Sequence, residues 1–127
     1  MSLRTPLGKV LGRGSAGDGT SHWWVQRVTA IALIPLTLWF VISILGKSLH
    51  HYAAMVAWIG QPWVAVFTIL LAITLSWHSW LGVQVVIEDY VHGKGAKTAL
   101  LLFSSFVHFV AVVAAVFAVV TLAVART

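Results

Sequence analysis

Three apolar stretches, at about 25–45, 64–87 and 98–124, dominate this chain, and each is long enough to carry a helix across a hydrocarbon layer about 30 Å thick. In that solvent every backbone N–H and C=O must be satisfied within the segment or by a closed sheet, so runs of this kind are open only to continuous α-helix. The expected fold is therefore all-α: an integral membrane protein of three transmembrane helices. Composition leads the same way, since 60% of the 127 residues are hydrophobic and 9% are charged, which excludes an ordinary water-soluble core. We read 22–127 as one membrane domain and 1–21, rich in Gly12, Gly14, Gly17 and Gly19, as a flexible tail.

The charges set topology. A net charge of +5 with only three acidic residues, Asp18, Glu88 and Asp89, comes with no basic face interleaved with aromatics, so no nucleic-acid partner is expected. Arg4, Lys9, Arg13, Arg27, Lys94 and Lys97 fall on one side of the three spans, and Lys47 and Arg126 on the other. This asymmetry predicts a cytoplasmic N-terminus and a periplasmic C-terminus. Nothing before the first span has the apolar core of a cleaved signal or an Arg/Ser-rich amphipathic transit pattern, and the expected location is a bacterial inner membrane. Cysteine is absent, which excludes cysteine-ligated iron–sulfur clusters and covalent haem attachment. With no phosphate loop, dinucleotide fingerprint or nucleophile elbow either, the chain alone does not read as a complete enzyme.

Along the chain, His22-Trp23-Trp24 suits an interfacial aromatic belt. Pro35 should kink or loosen the first span, and Arg27 near its start either snorkels to head groups or pairs with an anion just inside the membrane. Residues 46–61 read as a loop with one short interfacial helix. Within it His50 and His51 point about 100° apart if helical and have no third ligand nearby, so they receive no metal site. Pro62 fits the first turn of the second span, and a short polar hairpin follows Tyr90.

The chemistry concentrates in 76–90. His78 lies about 13 Å from the end of the second span, deep in hydrocarbon, where an ionisable side chain normally has a partner. His78, Gly82, Val85 and Asp89 stack on one helical face, with Gly82 leaving a notch one turn from the imidazole. A neutral imidazole there suits haem iron as an axial ligand, or it packs by hydrogen bonding to another helix; the residue alone leaves both open. Trp77 and Trp80 flank it, walling a cofactor or facing lipid. Glu88 and Asp89 oppose the dipole of the helix C-terminus, an unfavourable placement that also suits proton transfer. His108 sits about 15 Å into the third span, at a depth similar to His78, so a histidine pair or a proton relay is a rival reading.

Arg27-Val-Thr-Ala-Ile in the first span, with His78-Ser-Trp-Leu-Gly82 and Asp89-Tyr90 in the second, resembles the smaller, D-type hydrophobic anchor subunit of succinate dehydrogenase, respiratory complex II. The likeness covers nearly the whole chain after Ser21; the third span matches only in being apolar. It implies that His78 is one axial ligand of a haem b, bound to the haem iron, with the other axial histidine on a C-type anchor subunit. Arg27 then meets the haem propionates, Tyr90 hydrogen-bonds a ubiquinone carbonyl, and Asp89 lies beside that site to deliver protons. Electrons come through a flavoprotein that oxidises succinate and an iron–sulfur subunit docked on the cytoplasmic face. Related proteins also carry a histidine before the arginine, at a spacing one residue different from His22, and the resemblance gives His108 no role. Three other functions stand beside this one: the anchor of a fumarate reductase, a small proton-conducting protein using His78, Asp89 and His108, and a helper that only packs other subunits.

Overall fold

The computed structural model describes residues 16–46 and 51–124, which form four helices and no strand. Helix α1 spans Ala16–Gly46, α2 Tyr52–Ile59, α3 Pro62–Tyr90 and α4 Lys94–Val124. Three of them, α1 from Thr20 onward, α3 and α4, are long and apolar enough to cross a membrane. The chain is a multi-pass membrane protein with the all-α architecture that its three apolar runs require.

Two boundaries differ from those read in the sequence. Helix α1 starts at Ala16, inside the stretch read as a tail, although Gly17 and Gly19 each weaken a helix by about 1 kcal/mol. A span already fixed downstream removes the cost of nucleation, so helix propagates back through poor formers. Helix α4 likewise begins at Lys94, with the Lys97 amide donating to the Gly93 carbonyl at 2.8 Å, and only residues 91–93 turn the chain. Arg4, Lys9, Arg13, Lys47, His50 and Arg126 lie outside the described residues. Pro35 sits within α1, which continues unbroken on either side of it.

Helix α3 is the middle of the bundle. It packs on α1 along one side and on α4 along the other, while α1 and α4 make no close backbone approach. It also supplies most of the buried apolar side chains, namely Val64, Ala65, Leu71 and Leu81, because only a central helix has neighbours on both flanks. The order of contacts makes the bundle antiparallel. Thr29 meets His78 at one level of α1 and α3, and Trp39 meets Trp63 and Phe67 at another, further along α1 and earlier along α3. Pro62 opens α3 at its first turn, where the missing N–H has no helical partner to lose.

Helix α2 closes the far end. Its Trp58 is buried at 3% exposure and stacks with Trp39 and Phe40, whose ring centroids lie 6.1 and 6.0 Å away. Trp63 and Phe67 extend this aromatic cluster around Trp39. The opposite end of the bundle gathers Lys94, Lys97, Glu88, Asp89 and Tyr90, all exposed but half-buried Lys97, and Arg27 lies exposed on α1 nearer the level of His78. One end is thus fixed by rings and the other is polar.

Candidate functional site

Between α1 and α3, near the polar end, lies an open groove of about 460 Å³ whose wall includes His22, Gln26 and Arg27 from α1 and His78 and Val85 from α3. The two helices present these residues because His22, Gln26 and Thr29 repeat at helical spacing on one, and His78, Gly82 and Val85 on the other. The notch expected at Gly82 is faced by the end of the Gln26 side chain: a methyl placed there would sit 3.7 Å from Gln26 Nε2, in ordinary contact. Any larger side chain would reach into the space that Gln26 occupies.

His78 is half-buried, and its ring is tied on one side only. Nδ1 lies 3.0 Å from Thr29 Oγ1, while Nε2 makes no hydrogen bond among the described residues. Thr29 in turn reaches the backbone carbonyls of Val25 at 2.9 Å and Gln26 at 3.1 Å. Two further polar atoms of the same groove wall, His22 Nε2 and Gln26 Oε1, are buried without a hydrogen-bond partner. Leaving such a group unsatisfied costs about 1–3 kcal/mol, so the groove is built for an occupant with polar as well as apolar surface. Arg27 is exposed and rests its guanidinium 5.4 Å from the Trp23 ring centroid, with no carboxylate against it among the described residues. An unpaired cation at the rim of an apolar groove is matched by a flat apolar ligand that carries carboxylates. The donor set fits a haem: a groove-lining imidazole with one nitrogen free of hydrogen bonds, and an arginine for the acidic edge.

Asp89 and Tyr90 end α3 outside this groove. Asp89 continues the His78–Val85 face one turn further, and Tyr90 is 78% exposed, with its hydroxyl available to a ligand or partner. Tyr90 lies about 18 Å along the helix from His78, so the two mark separate levels. Glu88 accepts from Gln84 Nε2 at 2.9 Å through its side chain and from Lys97 Nζ at 2.7 Å through its backbone carbonyl. The Lys97 ammonium caps the end of α3 and offsets the unfavourable charge of Glu88 and Asp89 there.

His108 belongs to the other flank. Its Nδ1 donates to the Ser104 carbonyl at 2.8 Å, its Nε2 accepts from Ser79 Oγ at 3.2 Å, and its own carbonyl accepts from Ser76 Oγ at 3.1 Å. Trp80 is on this flank too, donating from Nε1 to Ser105 Oγ at 3.0 Å, and Trp77 lines the same α3–α4 surface. Neither tryptophan walls the His78 groove. Among the described residues no hydrogen bond joins His78, Asp89 and His108, and no three His, Cys, Asp or Glu side chains gather where they could hold a metal ion.

The structure brings His78 and Arg27 into one groove and adds His22 and Gln26 to its wall, with Thr29 of the same helix holding His78. A polar pair at i and i+4 in an otherwise apolar helix is the signal that finds His22 and Gln26. Comparison with known proteins extends this geometry to the whole chain. Residues 1–124 match the family model described as succinate dehydrogenase/fumarate reductase transmembrane subunit. The succinate dehydrogenase hydrophobic membrane anchor subunit of Paracoccus denitrificans is 34% identical over 118 residues, 93% of this chain and 91% of the relative. That of Rickettsia bellii is 30% identical over 117 residues, 92% and 94% of the two chains. A shorter match, 33% over 83 residues, 63% of this chain and 69% of the other, links it to the succinate dehydrogenase membrane anchor subunit of Reclinomonas americana. Matched nearly end to end, and built of three membrane-length helices, the chain belongs to the family of succinate dehydrogenase/fumarate reductase transmembrane subunits, as a hydrophobic membrane anchor.

Proposed function

We propose that this chain is one of two membrane anchors of a succinate:quinone oxidoreductase, in which it contributes His78 as an axial ligand of haem b and Tyr90 to the ubiquinone-reduction site. The observation that carries the reading is the half-tied imidazole of His78, a residue of the α1–α3 groove wall whose Nδ1 is held by Thr29 and whose Nε2 has no hydrogen bond among the described residues. Nε2 is the nitrogen that a metal takes when Nδ1 is occupied by a hydrogen bond. The groove is open on one side, as a half-site is when a second anchor, of C type, supplies the other wall and the other axial histidine. Arg27, which rests on Trp23, would hold a haem propionate, and Gln26 and His22 would offer polar atoms near the same edge. When bound there, haem b supplies a one-electron carrier within the membrane.

Tyr90 donates its hydroxyl to a quinone carbonyl at the polar end, where two exposed carboxylates, Glu88 and Asp89, exchange protons with water. That end faces the cytoplasm of a bacterial inner membrane, with the C-terminus in the periplasm, by the basic residues gathered around it. A flavoprotein and an iron–sulfur subunit dock on this face and deliver the electrons, since this chain has no succinate site of its own. The relay reading loses its path, because His108 is engaged on the opposite flank of α3.

A reduced-minus-oxidised visible spectrum of the detergent-purified complex tests the assignment. The parent should show a b-type haem, and His78→Ala should lose or strongly alter it. A mutant spectrum identical to the parent would overturn the ligand assignment.

A further inference from the structure

We infer that Thr29 is a positioning residue for the His78 ligand, fixing both its tautomer and its ring orientation; this rests on the axial-ligand reading given above. Thr29 owns a single hydroxyl proton and has three polar atoms around it: the carbonyls of Val25 at 2.9 Å and Gln26 at 3.1 Å, and His78 Nδ1 at 3.0 Å. Carbonyl oxygens cannot donate, and a threonine within a helix habitually gives its proton to the carbonyl one turn back. That leaves a lone pair of Oγ1 facing Nδ1, which must then be the protonated nitrogen. Nε2 consequently carries the lone pair, and Nε2 is the nitrogen left without a hydrogen bond on a residue that lines the groove.

The opposite assignment works against ligation. If Thr29 gave its proton to Nδ1, Nε2 would bear a hydrogen and be an unsatisfied donor, with no lone pair for iron. Geometry adds to this. Among the described hydrogen bonds the Thr29–His78 contact is the one side-chain link between α1 and α3, so it sets the rotation of the imidazole relative to the groove. The acceptor is itself held before any ligand arrives, since the β-branched side chain is stiff and its hydroxyl is tied to its own helix. The run Nδ1–H to Oγ1–H to carbonyl is cooperative, which makes the hydroxyl a better acceptor than an isolated one.

The consequence is electronic as well as geometric. An imidazole whose N–H is hydrogen-bonded donates more strongly to iron and favours the oxidised state, so removing the acceptor should raise the midpoint potential of the haem. A neutral hydrogen bond is worth up to about tenfold in an equilibrium. For a one-electron couple a tenfold change is about 59 mV.

Redox titration of the purified complex with Thr29→Val, which keeps the shape, and Thr29→Ser, which keeps the hydroxyl, tests this. Thr29→Val should raise the reduced-to-oxidised ratio at fixed potential by up to about tenfold, while Thr29→Ser stays within about twofold of the parent. Loss of haem in Thr29→Val with a parental titration in Thr29→Ser would support the same role. A parental midpoint in Thr29→Val, or an equal shift or loss in both variants, would overturn it. His78→Ala run alongside separates the two readings: a haem spectrum indifferent to His78 sinks the ligand assignment itself, whereas a His78-dependent haem indifferent to Thr29 sinks only this inference.

Discussion

His78 and His108 are two histidines at comparable depth in one membrane domain, yet they have opposite fates. His108 spends both ring nitrogens and its backbone carbonyl on Ser104, Ser79 and Ser76, drawing α3 and α4 together. His78, on the wall of an open groove, spends one nitrogen on Thr29 and leaves the other without a hydrogen bond among the described residues. Depth in the bilayer therefore does not set the two histidines apart; the count of satisfied nitrogens does. The helix between them makes the distinction possible, since of the three long helices only α3 contacts both others and its two faces answer to different partners.

The widest gap expected between the two histidines is spectral. His78→Ala should abolish or strongly alter the b-type spectrum, whereas His108→Ala should leave band positions and intensity per complex as in the parent. Replacing His108 removes one interhelical hydrogen bond, worth about 0.6 kcal/mol and at most about 1.7 in a membrane bundle, so thermal denaturation of the solubilised complex should shift only slightly. If His108→Ala lost the haem and His78→Ala kept it, the roles assigned to the two flanks of α3 would have to be exchanged.

A smaller effect separates the levels along the His78 flank. Tyr90→Phe should lower quinone reduction by about tenfold, the worth of a hydrogen bond to the reacting carbonyl, while succinate oxidation through an artificial acceptor stays unchanged. The haem spectrum should not move, because Tyr90 lies about 18 Å along α3 from His78. Equal quinone activities in parent and mutant would remove Tyr90 from the site.

These contrasts also mark what the sequence made legible. Three apolar runs dictate three helices, since hydrocarbon permits the backbone little else, and Pro62 marks the start of α3 to the residue. The spacing from His78 through Gly82 to Val85 foretold the face that meets α1, and that face is the one the groove uses. Helix rotation was not legible. Depth can be counted along a sequence, but which flank Trp77, Trp80 and His108 occupy depends on the packing of α4 against α3, which a single apolar run does not encode. Nor did Thr29 announce itself, because a hydroxyl that satisfies its own helix looks the same in sequence whether or not it also meets a histidine 49 positions away.

The least expected change concerns the turn that holds Tyr90. Lys97 donates to the Glu88 carbonyl at 2.7 Å, tying the end of α3 to α4 from the flank away from the groove. An exposed cation at a helix C-terminus contributes about 0.3–1 kcal/mol, so Lys97→Met should loosen this turn without dislodging it. The expected result is about a twofold rise in the KM for quinone, with kcat and the haem spectrum unchanged. A loss as large as that of Tyr90→Phe would mean that the ammonium of Lys97 acts on the quinone directly. The site would then draw on α4 as well as α3, and the division of labour between the two flanks would end at the membrane surface.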